Sequence, residues 1–196
     1  MTEREKMLSQ RLYDASRDEG LLRERAAAKA LCQAYNRLAP DDVPGQMQLM
    51  KKLLGRTGEQ FTIMAPFWCD YGWNIEIGEN FFANHNTVIL DCARVRFGDN
   101  VFIGPGCGFH TAGHPIDRRR RNAGLEYARP ITVGSDVWIG AGVQVLPGVS
   151  IGDGAVIGAG SVVTRDIPAD VVAAGSPCRV LRAVTAHDAE TEWDGL

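Results

Sequence analysis

The chain has 196 residues, of which 45% are hydrophobic and 23% are charged, with a net charge of −3 at neutral pH. This length and composition indicate one globular domain, and the small negative charge gives no reason to expect a nucleic-acid partner. The charged first residues and the lack of a long apolar run predict a cytoplasmic protein without a membrane partner. The five cysteines are scattered and form no C-x-x-C pair, so we expect free thiols.

Residues 2–56 are helical in character. A short helix is predicted around Arg4–Tyr13, Asp18 can cap a second helix, and Asp41-Asp42 followed by Pro44 opens a third. Because an uncapped end of a repeat stack would expose apolar side chains, we expect these helices to cap the repeats that follow.

A six-residue period dominates the rest of the chain and is clearest from Ile131 to Pro168. An aliphatic residue recurs there at every sixth position: Val133, Ile139, Val145, Ile151, Ile157 and Val163. This period fits neither a helix of 3.6 residues per turn nor an alternating strand. It predicts short strands separated by turns, so that the aliphatic residues stack in columns. A glycine-rich loop region or a few hairpins is the alternative.

The period is less regular before this stretch. One phase is shared by Ala65, Tyr71, Ile77, Ala83, Ile89 and Val95, and a two-residue slip then brings in Phe97, Ile103 and Phe109. If three hexads make one triangular turn, the repeats supply about four to five turns, with strands about 4.8 Å apart. We assign residues 57–184 to this solenoid. Val171–Ala174 and Arg179–Val184 are expected to form a strand pair or a short helix, and 185–196 a polar, mobile tail.

The segment Thr111–Pro130 interrupts the period. It is polar and aperiodic, and Phe109 and Val133 are separated by a whole number of hexads. We therefore interpret it as a loop inserted into a continuing stack. Long loops on a rigid scaffold are where chemistry tends to be located.

Several segments resemble one known family. They are EKMLSQRLYDA, CDYGWNIEIGENFFANHNTVILD, TAGHPID, GLEYARPITVGSDVWIGAGVQVLPGVSIGDGAVIGAGSVVTRDIP and VVAAGSPCRV. They are similar to the maltose/galactoside (sugar) O-acetyltransferases among the hexapeptide-repeat acyltransferases. The resemblance implies a mainly β protein: a left-handed parallel β-helix with an N-terminal α-helical cap and an inserted active-site loop. It also implies acetyl transfer from acetyl-CoA to a sugar hydroxyl, without a metal, by a homotrimer with active sites between subunits.

Two residues are candidates for catalysis. His114 lies in the inserted loop and matches the family's catalytic histidine in the GHP motif, and histidine is the side chain that most often acts as a general base. Asn84 in FFAN matches a family asparagine near the acceptor and the reacting carbonyl, where its amide can donate to the oxyanion. A solvated loop histidine and an asparagine that only favours a tight turn are the alternatives.

Three carboxylates are candidates for holding the hydroxyls of the acceptor. Asp14 in LYD and Asp70 in CDYG match acceptor-site positions of the family, and Glu126 in GLEY can orient His114 or line the pocket. Either aspartate can instead cap a turn. Trp138 is interpreted as packing the base of the loop rather than contacting substrate.

Other residues are expected to bind the coenzyme along the outside of the stack, where small residues allow close approach and cations meet the phosphates. By resemblance to the family they are Ala141, Ala159, Thr164, Arg165, Arg179 and Arg182. A solvated surface charge is the alternative for each arginine.

Other functions stay open at this point. The acceptor can be an amino acid, an antibiotic or a lipo-oligosaccharide instead of a sugar. A zinc-dependent lyase would use His85, His110 and His114, and a purely structural solenoid is a further alternative. The run Arg118–Arg121 is interpreted as a solvated face, with binding of an anionic acceptor or a phosphate as the alternative.

Overall fold

The computed structural model describes residues 1–190, so the end of the predicted tail, 191–196, lies outside the described residues. The helices are α1 (Glu3–Leu8), α2 (Glu19–Tyr35), α3 (Val43–Leu53), α4 (Arg118–Asn122) and a 3-10 helix (Ala186–Ala189). The strands are β1 (Tyr13–Asp14), β2 (Phe61–Ile63), β3 (Phe67–Cys69), β4 (Ile75–Glu76), β5 (Phe81–Ala83), β6 (Thr87–Leu90), β7 (Val95–Phe97), β8 (Phe102–Ile103), β9 (Gly108–His110), β10 (Ala112–Gly113), β11 (Leu125–Ala128), β12 (Ile131–Val133), β13 (Trp138–Ile139), β14 (Gln144–Val145), β15 (Ser150–Ile151), β16 (Val156–Ile157), β17 (Val162–Val163), β18 (Val171–Gly175) and β19 (Cys178–Ala183).

Three helices precede the repeats, as predicted. Asp18 and Asp42 each accept a hydrogen bond from the backbone N–H three residues later, at 2.8 and 3.0 Å, and so cap α2 and α3. The first helix is shorter than predicted, because α1 ends at Leu8. Tyr13–Asp14 forms strand β1 instead, since its backbone pairs with the distant β11.

The chain then winds as a parallel β-solenoid with three faces, which confirms the predicted fold class. The first face contains β2, β5, β8, β13, β16 and β18, the second β3, β6, β9, β14 and β17, and the third β4, β7, β12 and β15. Six parallel strands on the first face correspond to about six turns, so the prediction of four to five turns is too low. The last strand, β19, pairs antiparallel with β18, which confirms the predicted strand pair.

The predicted stacking of buried residues is correct from Phe97 onward and wrong in part before it. On the first face Ile63 stacks on Ala83, Ile103, Ile139, Ile157 and Ala173. Ala65 and Tyr71 lie outside the columns, whereas Ile77 lies beside Phe97 because Glu76 pairs with Arg96. Each of the first turns is also two residues longer than three hexads, and the sequence pattern did not indicate this.

All of these extra residues fall at one corner, between the second and third faces. We call this the wide corner, formed by residues 70–74, 91–94 and 111–130. The corner between the first and second faces keeps the strict hexad spacing, and we call it the narrow corner (residues 84–86, 104–106, 140–142 and 158–160). Strands pair at one fixed spacing, so only a corner can accommodate added chain.

The helical cap packs on the first turns of the solenoid. Cys32 of α2 lies against Cys69 of β3, with their Sγ atoms 3.7 Å apart. All five cysteines are free and buried, as expected. Among residues 1–190, no helix is long and apolar enough to cross a membrane.

The wide corner is built around a buried carboxylate. Asp91 has no exposed surface and accepts hydrogen bonds from the backbone N–H groups of Asp70, Tyr71 and Asn74 at 3.0, 2.8 and 3.3 Å. These bonds join the corners of two successive turns. Burial nevertheless raises the pKa of Asp91 to about 6, because the charged form loses its hydration.

Asp91 should therefore make stability depend on pH. An unfolded aspartate has a pKa of about 3.9, so the folded state holds this proton more tightly and gains stability from it below about pH 4. This contribution to the free energy of unfolding is lost as the pH rises through about 6, the pKa of Asp91 in the folded state. Relative to Asp91→Asn, which cannot titrate, the wild-type free energy of unfolding should fall by about 2 kcal/mol between pH 4 and pH 8. Urea unfolding of both proteins measures this difference, and a constant difference across the range would contradict it.

Candidate active site

The inserted segment at the wide corner is more ordered than the predicted aperiodic loop. Strands β10 and β11 form an antiparallel pair, α4 connects them, and β1 pairs with the other edge of β11. Tyr13 lies opposite Glu126 and Asp14 lies opposite Leu125 in this three-stranded sheet. The prediction missed this sheet because β1 is too short to show a period and its partner lies far away in sequence.

His114 directly follows β10 and is exposed. Its Nδ1 lies 3.0 Å from the carbonyl oxygen of Leu125. A carbonyl oxygen only accepts hydrogen bonds, so in the neutral ring Nδ1 carries the proton and the lone pair is on Nε2. This hydrogen bond fixes both the ring orientation and the tautomer that a general base requires.

Asp14 and Glu126 lie diagonally across the β1–β11 pair, because Glu126 is opposite Tyr13 and Asp14 is opposite Leu125. The Tyr13 hydroxyl donates to Glu126 Oε2 at 2.9 Å, and Tyr13 itself is fully buried. Asp14 accepts from the backbone N–H groups of Ser16 and Arg17 at 3.0 and 3.1 Å. Asp14 therefore stabilises a turn, as the alternative interpretation proposed, while its side chain also stays partly exposed beside the inserted segment.

Asp70 lies at the same corner and is half-buried. The thiol of Cys92 donates to its Oδ2 at 3.5 Å. Burial raises the pKa of Cys92, which keeps the thiol protonated and able to donate. Sequence reasoning missed Tyr13 and Cys92. In the sequence, Cys92 is distinguished only by its position close to the two-residue change in the phase of the repeat.

Asn84 lies at the narrow corner, on the other edge of the second face. Its Oδ1 accepts a hydrogen bond from the backbone N–H of His85 at 2.7 Å. Within the part of the chain that the structure describes, its amide nitrogen donates to no partner. This amide can therefore donate to a ligand.

The interpretation of Trp138 as a residue that packs the base of the loop is wrong. Trp138 lies on the first face and is 52% exposed, whereas the inserted segment leaves the wide corner. It is aligned with Phe102, which is 51% exposed, and with Phe82 in successive strands. These three rings and Asn84 line one shallow groove on the surface.

The candidate coenzyme residues are divided between the two corners and the last strand. Ala141 and Ala159 are exposed at the narrow corner, where the next residue, Gly160, donates its N–H to the Ala141 carbonyl at 2.8 Å. Gly140 permits this stacking, since a Cβ there would lie 2.6 Å from the Ala159 nitrogen. The N–H groups of Ala141 and Ala159 make no hydrogen bond within residues 1–190.

The cationic candidates lie at the carboxyl-terminal end. Thr164 and Arg165 follow β17 at the wide corner and are exposed. Arg179 and Arg182 lie on β19 at the edge of the first face. Arg182 pairs with Asp188 at 2.7 Å, so its charge is already partly compensated.

One chain therefore holds two separate groups of candidate residues. His114, Asp14, Asp70 and Glu126 lie at the wide corner, and Asn84 lies at the narrow corner. The second face separates them, and its four-residue strand β6 spans about 10 Å at 3.3 Å per residue. The structure does not bring these groups together within one copy.

The histidines of the zinc alternative do not converge either. His85 Nδ1 contacts the carbonyl oxygen of Ala65, and His110 Nε2 lies 2.8 Å from Gln144 Oε1. In residues 1–190, no group of three or more histidine, cysteine, aspartate or glutamate side chains is placed to hold a metal.

Comparisons with known proteins agree with this architecture. A family model described as the maltose acetyltransferase hexapeptide capping motif matches residues 6–58, and one described as the bacterial transferase hexapeptide, with six repeats, matches 130–165. A putative acetyltransferase of Saccharomyces cerevisiae, YJL218W, is 54% identical over 92% of this chain and 92% of its own length.

Two solved structures are similar over nearly the whole chain. A maltose O-acetyltransferase from Clostridium difficile 630 is 46% identical with a TM-score of 0.93, covering 94% of this chain and 98% of its own. A galactoside acetyltransferase in complex with coenzyme A is 41% identical with a TM-score of 0.95, covering 99% and 96%. The chain is an acetyltransferase and belongs to the maltose/galactoside O-acetyltransferase family of hexapeptide-repeat proteins.

Proposed function

We propose that the protein transfers the acetyl group of acetyl-CoA to a hydroxyl of a sugar, with His114 as the general base. The hydrogen bond from His114 Nδ1 to the Leu125 carbonyl oxygen is the observation that carries this proposal. It leaves Nε2 unprotonated on an exposed ring, as removal of a hydroxyl proton requires. The relatives named for maltose and galactoside acetylation, one of them holding coenzyme A, support the choice of substrate and coenzyme.

The reaction can be written with residues of this chain. His114 Nε2 takes the proton of the sugar hydroxyl while its oxygen attacks the thioester carbonyl carbon. The free amide of Asn84 and the free N–H of Ala141 lie two turns apart on the narrow corner, and each is proposed as a donor to the oxyanion of the tetrahedral intermediate. Collapse of the intermediate expels the thiolate of coenzyme A, which His114 reprotonates.

The acceptor is proposed to bind at the wide corner. Asp14, Asp70 and Glu126 present carboxylate oxygens there, and such groups accept hydrogen bonds from neighbouring sugar hydroxyls. Tyr13 holds Glu126 in place from the buried side. A non-sugar acceptor, such as an amino acid or an antibiotic, would use the same base and coenzyme. Thiol release from acetyl-CoA with a panel of sugars, amino acids and antibiotics distinguishes these acceptors.

The active enzyme is proposed to be a homotrimer. The base and the proposed oxyanion donors lie on opposite edges of the second face, so each chain supplies two different half-sites. A wide corner can complete its site only with the narrow corner of a neighbouring copy. Such head-to-tail contacts close into a ring, and three copies correspond to the family's assembly.

Replacing His114 should separate chemistry from coenzyme binding. Because His114→Ala removes the base but no proposed coenzyme contact, kcat should fall about 100- to 10,000-fold while coenzyme A binding is retained. Thiol release measures the first quantity and calorimetry the second. His187→Ala, at an exposed histidine of the 3-10 helix, should be fully active. Near-normal turnover of His114→Ala would rule out this residue as the base.

Replacing Arg179 should have the opposite effect, weakening coenzyme binding while leaving kcat nearly unchanged. This exposed arginine is proposed to contact a coenzyme phosphate, so Arg179→Ala should raise the KM for acetyl-CoA about tenfold with little change in kcat. The exposed Arg37→Ala on the cap serves as the control for loss of one positive charge. A fall in kcat at saturating acetyl-CoA would contradict a role limited to coenzyme binding.

A further inference from the structure

We propose that three arginines of α4, Arg118, Arg119 and Arg120, select an acceptor that carries a negative charge, such as a sugar with a carboxylate or phosphate group. This inference rests on the proposed function and adds a substrate class to it. It concerns charge at the rim of the acceptor site and leaves the roles of His114 and Asn84 unchanged.

Helix α4 spans the space between the proposed base and a proposed acceptor ligand. It begins at Arg118, four residues after His114, and ends at Asn122. Gly124 follows it and lies against the turn of Asp14, since a Cβ there would lie 3.8 Å from Asp14 Oδ1. The helix therefore forms one rim of the wide corner.

The position of α4 is fixed by three hydrogen bonds of the Asp117 and Arg121 side chains. Asp117 caps its start by accepting from the Arg120 N–H at 2.9 Å. Arg121 Nη1 donates to the carbonyl oxygens of Pro115 and Ile116 at 3.2 and 2.9 Å, which ties the helix to the segment after His114. Arg121 thus has a structural partner, and the other three arginines are presented on an ordered support.

The guanidinium groups of these three arginines contact no acidic side chain within residues 1–190. All three are exposed, and none makes an ion pair or a side-chain hydrogen bond within residues 1–190. Asp117, three residues before Arg120, is the one acid at helical spacing from them, and its Oδ1 accepts from the backbone N–H of Arg120 rather than from a guanidinium group. Adjacent like charges are unfavourable, and the net charge of the chain is −3.

Several other helical cations of this chain have an acidic partner. Lys6 of α1 pairs with Glu3 at 2.5 Å, Arg23 of α2 with Glu19 at 3.3 Å, and Lys51 of α3 with Glu59 at 2.7 Å. Lys29 of α2 and Lys52 of α3 are exposed without an ion pair as well, but α4 differs from the other described helices in carrying three such cations in succession. An external anion would supply the missing compensation.

The acceptor is a better occupant than the coenzyme phosphates. Strand β11, which follows α4, pairs with β1, so the inserted segment folds towards the amino-terminal cap. The candidate phosphate ligands Arg165 and Arg179 lie in the last turns, beyond β17. The carboxylates beside α4 already have partners, since Asp14 pairs with Arg17 at 3.7 Å and Glu126 accepts from Tyr13. These two carboxylates therefore do not neutralise the positive charge of α4, which can attract an anionic acceptor.

The test compares charged and neutral acceptors. Glucose, glucose 6-phosphate and glucuronate are assayed by thiol release from acetyl-CoA at low and high salt. The wild-type protein should have a higher kcat/KM for the charged sugars, and added salt should reduce the preference. The triple variant Arg118→Gln, Arg119→Gln, Arg120→Gln should lose about tenfold in kcat/KM for the charged sugars only, because each exposed pair contributes two- to threefold.

Two controls make the result decisive. The triple variant Lys29→Gln, Arg37→Gln, Lys52→Gln changes the net charge equally at exposed, unpaired cations of the helical cap and should keep the wild-type preference. The KM for acetyl-CoA with glucose should be the same in all three proteins. Equal loss for glucose and the charged sugars, a raised KM for acetyl-CoA, or no wild-type preference for charge would overturn the inference. Turnover of glucose alone would leave the proposed function standing, whereas no turnover of any acceptor would contradict that function.

Discussion

The pairing of parallel strands at one fixed spacing is the constraint on which the rest of this structure depends. Ile103, Ile139 and Ile157 stack because every turn follows the path of the one before it. Added residues cannot enter a strand without moving its side chains out of the column, so they collect at a corner. All the added residues lie at the wide corner. Polar side chains are located there because the stacked columns of buried residues exclude them.

The two corners consequently serve different chemistry. The narrow corner has strict hexads, small residues and free backbone N–H groups at Ala141 and Ala159, which suit an extended ligand lying along the stack. The wide corner has a buried carboxylate, a three-stranded sheet and an anchored imidazole, which suit a polar acceptor. A second copy is needed to join them, so catalysis and assembly are linked in the proposed mechanism.

Much of the fold follows from the sequence because its signals are local. The caps at Asp18 and Asp42 and the hexads after Phe97 need only neighbouring residues to be recognised. The features that were missed depend on contacts between distant residues. Tyr13 contacts Glu126 across 113 positions, and Trp138 lies on the outer side of a strand on the face away from the insertion. The motifs identified the candidate site residues. No local sequence pattern indicates whether each residue lies at the wide corner or at the narrow corner.

Complementation between two inactive variants tests the shared site most directly. His114→Ala keeps an intact narrow corner, and Asn84→Ala keeps an intact wide corner. Refolding or co-expressing the two in equal amounts should restore about a quarter of the wild-type activity, because one site in four then combines an intact His114 with a neighbour's intact Asn84. Each variant alone, and a mixture with the double variant His114→Ala, Asn84→Ala, should stay inactive. If mixed assemblies form and no activity returns, both residues act within one chain and the account of a site shared between copies is wrong.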